Sequence, residues 1–184
     1  EKYHIKIFNL PKYAGLAQAL NFGSSIAKGK YLAFLEDDDL WETDYIKKLS
    51  DSITSDYDAY VARIDRLKDG EITPYKNAKG KINVDNFFTH NPGVNISNLC
   101  ISKEALFRIS GFDARIKVGV DKCVVIDLLL DNCKFKVLEH IQEIGRSHEG
   151  VRLSGSNKNM IESQLEFYQK YKKRINFFQK IKLI

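Results

Sequence analysis

A layered α/β fold is what this sequence predicts, and three observations carry it. Tyr31 to Leu35 is a short apolar run of strand formers preceded by Gly29, and it stops on four consecutive acids, Glu36 to Asp39. Segments with helical spacing of apolar residues alternate with segments that read as strands. Cys123 to Leu130 is almost wholly apolar, as a buried helix would be, and Phe135 to Ile144 then returns to strand character. Together these predict a mixed, mostly parallel sheet flanked by helices.

Taken in order, Tyr3 to Leu10 alternates like a strand and is closed by Pro11. Gly15 opens a helix whose apolar positions are Leu16, Ala19, Leu20, Gly23, Ile26 and Ala27, with Gly29 as its C-terminal cap. The run Tyr31 to Leu35 is apolar on both faces, as expected of a central strand with neighbours on either side. A helix from about Asp44 to Ser55 follows it, then a strand at Ala59 to Ile64. Lys68 to Lys81 is polar, and its Asp69-Gly70 signals a hairpin. Val84 to His90 reads as a short helix broken by Asn91-Pro92-Gly93, with a strand expected over Ile96 to Ile101. Ser102 suits the N-cap of a helix from Lys103 to Ile109, and Gly111-Phe112-Asp113 turns the chain again. Residues 145–157 form a polar loop. A final helix from about Asn159 to Phe178 places Ile161, Leu165, Tyr168, Ile175 and Phe178 on one face. The expected division is a domain over residues 1–157 and a basic amphipathic helix over 158–184.

The chain has 184 residues, 43% of them hydrophobic and 29% charged, which suits one domain with a sizeable core. No apolar run is long enough to span a bilayer, and no repeat is visible. The formal charge of +5 is concentrated near the C-terminus, where Lys170, Lys172, Lys173, Arg174, Lys180 and Lys182 follow Tyr168 with no acid among them. Such a tail suits an anionic surface or simply water. It lacks the interleaved aromatic platform of a nucleic-acid module, so no nucleic-acid partner is expected. Cys100, Cys123 and Cys133 have neither zinc-site spacing nor an even count. Reduced thiols and a cytoplasmic setting follow.

Four adjacent carboxylates repel one another, and nothing in folding requires them there. At the carboxyl end of a buried strand, where α/β sheets place ligands, they offer hard oxygen donors for a divalent cation. A solvated acidic turn leading into the next helix is the plainer reading of the same residues. Asp121 has the same double character. It follows Val118-Gly119-Val120, where burial would raise its pKa and suit it to accept a proton, and it also stands where a helix N-cap would. Trp41 suits either a sugar face or the core.

Several segments, in this order and spacing, resemble family 2 glycosyltransferases. They are Gly15 to Gly23, Ala27-Lys28-Gly29-Lys30-Tyr31, Phe34 to Trp41, Ile101 to Leu106, Gly111-Phe112-Asp113, Asp121 and Arg146-Ser147-His148. The resemblance implies a GT-A-like fold that is partial at its N-terminus, because the family's first strands and base-binding aspartate have no counterpart here. It therefore implies that residues 1–184 alone are an incomplete catalyst. By spacing, the family's Asp-x-Asp falls on Glu36 and Asp38, with Asp37-x-Asp39 as the other register. The resemblance further implies a nucleotide-sugar donor bound by Glu36, Asp37, Asp38, Arg146 and Arg152. Mn²⁺ or Mg²⁺ would be held by Asp38, Glu36 and His148. Asp121 would be the general base of an inverting transfer to an acceptor hydroxyl, although Val120 stands where the family has a glutamate. The acceptor side would include Asn95, Ser97 and Asn98. A cell-surface polysaccharide or lipid-linked glycan is the acceptor class implied, with the basic tail resting on the inner face of a membrane. The alternative is a non-catalytic relative that binds nucleotide-sugar or carbohydrate.

Overall fold

The structure, a computed structural model, describes residues 5–11, 14–75, 77–78, 82–146, 157–176 and 179. Its elements in chain order are α1 (Leu16–Ile26), β1 (Tyr31–Ala33), β2 (Asp39–Trp41), α2 (Tyr45–Ser52), β3 (Ala59–Lys68) and β4 (Glu71–Pro74). They continue with α3 (Val84–Thr89), β5 (Leu99–Ser102), α4 (Lys103–Arg108), α5 (Val120–Leu130), β6 (Phe135–Arg146) and α6 (Asn157–Tyr171).

The α/β class is as expected. The strands form one sheet in the order β1-β5-β3-β6-β2, with β4 paired to β3. Less of it is parallel than the sequence predicts: β3 runs parallel to β6, and the other four pairings are antiparallel. The physical reason is that a parallel pair needs a long crossover, and the described chain makes one between neighbouring strands, from β3 through α3, β5, α4 and α5 to β6. The β3/β4 hairpin turns at Asp69 and Gly70, both at positive φ (51° and 84°), as a two-residue primed turn requires.

Two cores sandwich this sheet. The larger packs α3, α4, α5 and α6 on one face through Phe87, Phe88, Leu106, Val124, Ile126, Leu128, Phe167 and Tyr171. The smaller lies under α2 and joins Tyr45, Leu49, Tyr60, Ala62, Leu138 and Ile141. Tyr60 and Val61, adjacent in β3 and pointing to opposite faces, are both fully buried, which makes β3 the true central strand. Ser102 caps α4 as expected, its hydroxyl accepting from the Ala105 N–H at 3.2 Å. The three cysteines are buried and free.

Four expectations are corrected. Of the expected strand Tyr3 to Leu10, residues 3–4 lie outside the described residues and residues 5–10 form no strand, with Ile5 and Ile7 81% and 86% exposed. β1 is three residues long and lies at the edge of the described sheet, with Ala33 and Leu35 exposed. An apolar run signals strand character, and its place in the sheet depends on partners that the run does not encode. α1 buries Ala17 and Ser24 rather than Ala19 and Ile26, and its C-cap is Ala27, not Gly29. Ser24 tolerates burial because its hydroxyl donates to the Leu20 carbonyl at 2.7 Å. In α6 the buried face is Ser163, Phe167 and Tyr171, while Ile161 and Leu165 are 63% and 59% exposed. Polar satisfaction decides this too. Ser163 accepts from the Lys117 and Val118 N–H groups, and Tyr171 donates to Asp127 at 2.8 Å. Lys170, read as an unbalanced tail charge, is inside this contact, 3.1 Å from Asp113 and 2.6 Å from Asp127.

Candidate active site

Past Ala33 the chain leaves β1 and makes a tight turn, the Asp39 N–H donating to the Glu36 carbonyl at 3.3 Å, before β2 begins on Asp39. Three anchors set this acidic turn. The Glu36 N–H donates to the Ser97 hydroxyl at 3.0 Å. Trp41 Nε1 donates to the Ser97 carbonyl at 2.6 Å, and its ring stacks flat on Tyr45 with centroids 4.5 Å apart. From the far side, Arg146 at the end of β6 donates from Nε to the Asp38 carbonyl and from Nη2 to the Asp37 carbonyl, each at 2.8 Å. Trp41 therefore has the core role, and Arg146 grips the backbone of the acidic turn.

The electrostatics show which acids share space. Glu36 is pushed up to about 7, first by burial and then by the charges of Asp39, Asp121, Asp38 and Asp37. Asp39 is also raised by burial, against the hydrogen bonding of Ser97. Asp121 is raised by burial, which the Lys122 N–H, its own N–H, the Lys122 charge and the Asn91 amide only partly oppose. The Asp121 charge reaching Glu36 places the expected base and the acidic turn in one neighbourhood. Asp121 is not a helix cap: α5 begins at Val120, Gly119 occupies the N-cap at φ 82°, and Asp121 lies in the first turn. Its carboxylate Oδ2 accepts from Asn91 Nδ2 at 2.9 Å.

Beneath the turn lies an acid that sequence reasoning missed. Glu143 of β6 stands opposite Trp41 in the β2/β6 pairing, fully buried, with neither carboxylate oxygen in good hydrogen-bond geometry among the described residues and with Asn95 and Asp39 as polar neighbours. It is pushed up to about 8 by burial and then by the Asp39 charge. A single glutamate in Ile141-Gln142-Glu143-Ile144 carries no motif, and only the fold places it behind the acidic turn. Asn91 was also missed, because Asn-Pro-Gly reads first as a helix breaker.

Asp37 is exposed, Asp38 and Glu36 are half-buried, and Arg146 is exposed. His148 and Arg152 lie outside the described residues. Ser97 and Asn98 are fully buried and do not present an acceptor surface. Asn98 exchanges hydrogen bonds with Asn95 at 2.8 and 2.9 Å and holds the Ala62 carbonyl at 2.7 Å, so it ties the loop to β3. Among the described residues no three of His, Cys, Asp or Glu are grouped to hold a metal ion by themselves. The donor chemistry nevertheless fits a hard divalent cation. Carboxylate oxygens of Glu36 and Asp38 crowd one turn, their neighbours raise one another, and a phosphate ligand would complete the shell.

A mixed sheet that ends in an acidic turn, with a second aspartate brought to it by a buried helix, defines a GT-A-like domain. The sequence matches the model of glycosyl transferase family 2 over residues 1–115, and the chain belongs to that family. A search of curated proteins gives no match. Among solved structures, Staphylococcus aureus TarS residues 1–349 in complex with UDP-GlcNAc is similar at TM-score 0.62 and 16% identity, covering 84% of this chain and 47% of that one. GalNAc-T7 with UDP, GalNAc and Mn²⁺ is similar at TM-score 0.64 and 17% identity, covering 88% of this chain and 36% of that one. The chain thus spans less than half the length of either.

Proposed function

We propose that this chain carries the catalytic acids of an inverting, divalent-metal-dependent glycosyltransferase that uses a nucleotide-diphosphate sugar. The observation that carries the reading is that the Asp121 charge helps to raise Glu36, which supports a base lying within electrostatic reach of the acidic turn. UDP-GlcNAc bound to one structural relative and UDP to the other support a uridine diphosphate sugar donor.

In this reading Asp121 takes the proton of the acceptor hydroxyl as its oxygen attacks the anomeric carbon and the nucleotide diphosphate leaves from the opposite face. Burial raises Asp121 above the usual carboxylate range, which improves its match to a hydroxyl proton. Mn²⁺ or Mg²⁺, held by Asp38 and Glu36 with His148, would neutralise charge on the departing diphosphate. Arg146 keeps the acidic turn in place through its backbone, and Arg152 supplies positive charge for the donor. The non-catalytic alternative would be favoured by an acidic end buried with no cleft or by an Asp121 facing away from Asp38; the Asp121 charge felt at Glu36 supports the catalytic reading.

The acceptor in this reading is a surface polysaccharide or lipid-linked glycan, and the protein works in the cytoplasm. Lys172, Lys173 and Arg174 follow exposed Ile161, Leu165 and Tyr168 on α6, an arrangement that suits peripheral contact with an anionic membrane. No described helix is long and apolar enough to cross one. The test is a panel of nucleotide sugars incubated with Mn²⁺ or with chelator, scored for nucleotide diphosphate release. Metal-dependent release from one donor supports the proposal, and binding without release from any would favour the non-catalytic alternative.

A further inference from the structure

We infer that Asn91 is the positioning residue of Asp121, fixing the rotation of its carboxylate by holding Oδ2. The inference rests on Asp121 being the base, as proposed above.

Asn91 stands just after α3, in the loop Asn91-Pro92-Gly93-Val94. Its Oδ1 accepts from the Gly93 N–H at 3.0 Å and the Val94 N–H at 2.8 Å. Its Nδ2 donates to the Val94 carbonyl at 2.5 Å and to Asp121 Oδ2 at 2.9 Å. A primary amide has two N–H donors and an oxygen with two lone pairs, so every position is used. The amide cannot be turned over, because that would set its oxygen against a carbonyl and a carboxylate.

The loop itself is tied down. Gly93 sits at φ 122°, a conformation that other residues rarely adopt. Asn98 Nδ2 donates to the Gly93 carbonyl at 3.1 Å and to the Ala62 carbonyl of β3 at 2.7 Å. A continuous hydrogen-bonded path therefore runs from the central strand through Asn98, Gly93 and Asn91 to one oxygen of Asp121. The other groups that sense the Asp121 charge are Glu36 of the acidic turn and Lys122 and Cys123 on α5. The Lys122 N–H and the N–H of Asp121 itself also bond the carboxylate, and Asn91 is the side chain that holds Oδ2.

Closing the loop requires only the amide oxygen of Asn91; orienting the base requires its nitrogen. Asn91→Asp keeps the first and replaces the second with an oxygen facing a carboxylate, whereas Asn91→Ala removes both. In the full chain with a UDP-sugar donor, Asn91→Asp should lower kcat by about 100-fold, the scale of a small misplacement of a reacting group. Donor KM should stay within about 2-fold in Asn91→Asp, whose carboxylate facing Asp121 costs some thermal stability, whereas Asn91→Ala should lose kcat equally and melt earlier still because the loop opens as well. A near-wild-type kcat in Asn91→Asp would overturn the inference, as would a loss of stability and donor binding that matches Asn91→Ala. Asp121→Asn, measured alongside, keeps the two readings apart. An inactive Asp121→Asn with an active Asn91→Asp removes only the positioning role, and an active Asp121→Asn removes the base reading and the inference with it.

Discussion

Arg146 holds the carbonyl oxygen of Asp38 with its Nε at 2.8 Å, across a separation of 108 residues in the chain. A second N–H on the same guanidinium takes the Asp37 carbonyl, so the planar fork spans two successive peptide units of the acidic turn. Arg146→Lys keeps the charge and loses the fork. It is expected to weaken nucleotide diphosphate binding by about 10-fold while leaving the melting temperature little changed, because the side chain is exposed. Calorimetric titration of the two proteins checks this.

Asp38→Asn should abolish most of the Mn²⁺-dependent part of nucleotide diphosphate binding and leave the fold intact. The turn is built from backbone contacts to Ser97 and Arg146, not from the Asp38 carboxylate alone. If Asp38→Asn binds as the wild type does and Asp39→Asn does not, the metal register is Asp37-x-Asp39.

The buried acids make stability depend on pH in a defined direction. Glu143, raised from 4.5 to about 8, and Glu36, raised to about 7, hold protons in the folded chain that the unfolded chain has already released. Their contribution is present in full below the unfolded value and is lost as pH rises through the folded values, so in metal-free buffer stability should fall between about pH 5 and pH 8. Glu143→Gln keeps the shape, supplies permanent N–H donors beside Asp39 and cannot ionise. It should flatten that fall and gain more than about 1 kcal/mol over the wild type near pH 8. Urea midpoints measured across the range decide it.

Lys170→Met should cost about 3 kcal/mol of stability by leaving Asp113 and Asp127 without the ammonium that bridges them, both in a largely enclosed contact between α5, α6 and the loop after α4. The thermal midpoint of the variant checks this, and an unchanged midpoint would show that α6 is held by its other contacts, Phe167, Tyr171 and the Ser163 hydroxyl among them.

The helices and strands were legible in the sequence wherever local chemistry decides them. Ser102 capped α4, Asp69-Gly70 made the hairpin, and the apolar run Cys123 to Leu130 became buried α5. The acidic turn was legible because four adjacent carboxylates have no structural excuse. Sheet position and helix facing were not. β1 has the composition of a central strand yet lies at the edge of the described sheet, and α6 buries Ser163 where Ile161 was expected. Both depend on long-range partners, respectively a neighbouring strand and the N–H groups of Lys117 and Val118. Glu143 and Asn91 were invisible for the same reason. Each acquires its role from a residue tens of positions away that only the fold brings near.

If Asp121 works on the acceptor while the acidic turn holds the donor, the two functions separate on mutation. Asp121→Asn tests it directly, because it preserves size and removes proton affinity. The measurement is single-turnover sugar transfer by the full chain at saturating donor and metal, with donor affinity determined in parallel. Donor affinity is expected within about 2-fold of wild type and transfer slower by about two to four orders of magnitude. Transfer at the wild-type rate would contradict that separation.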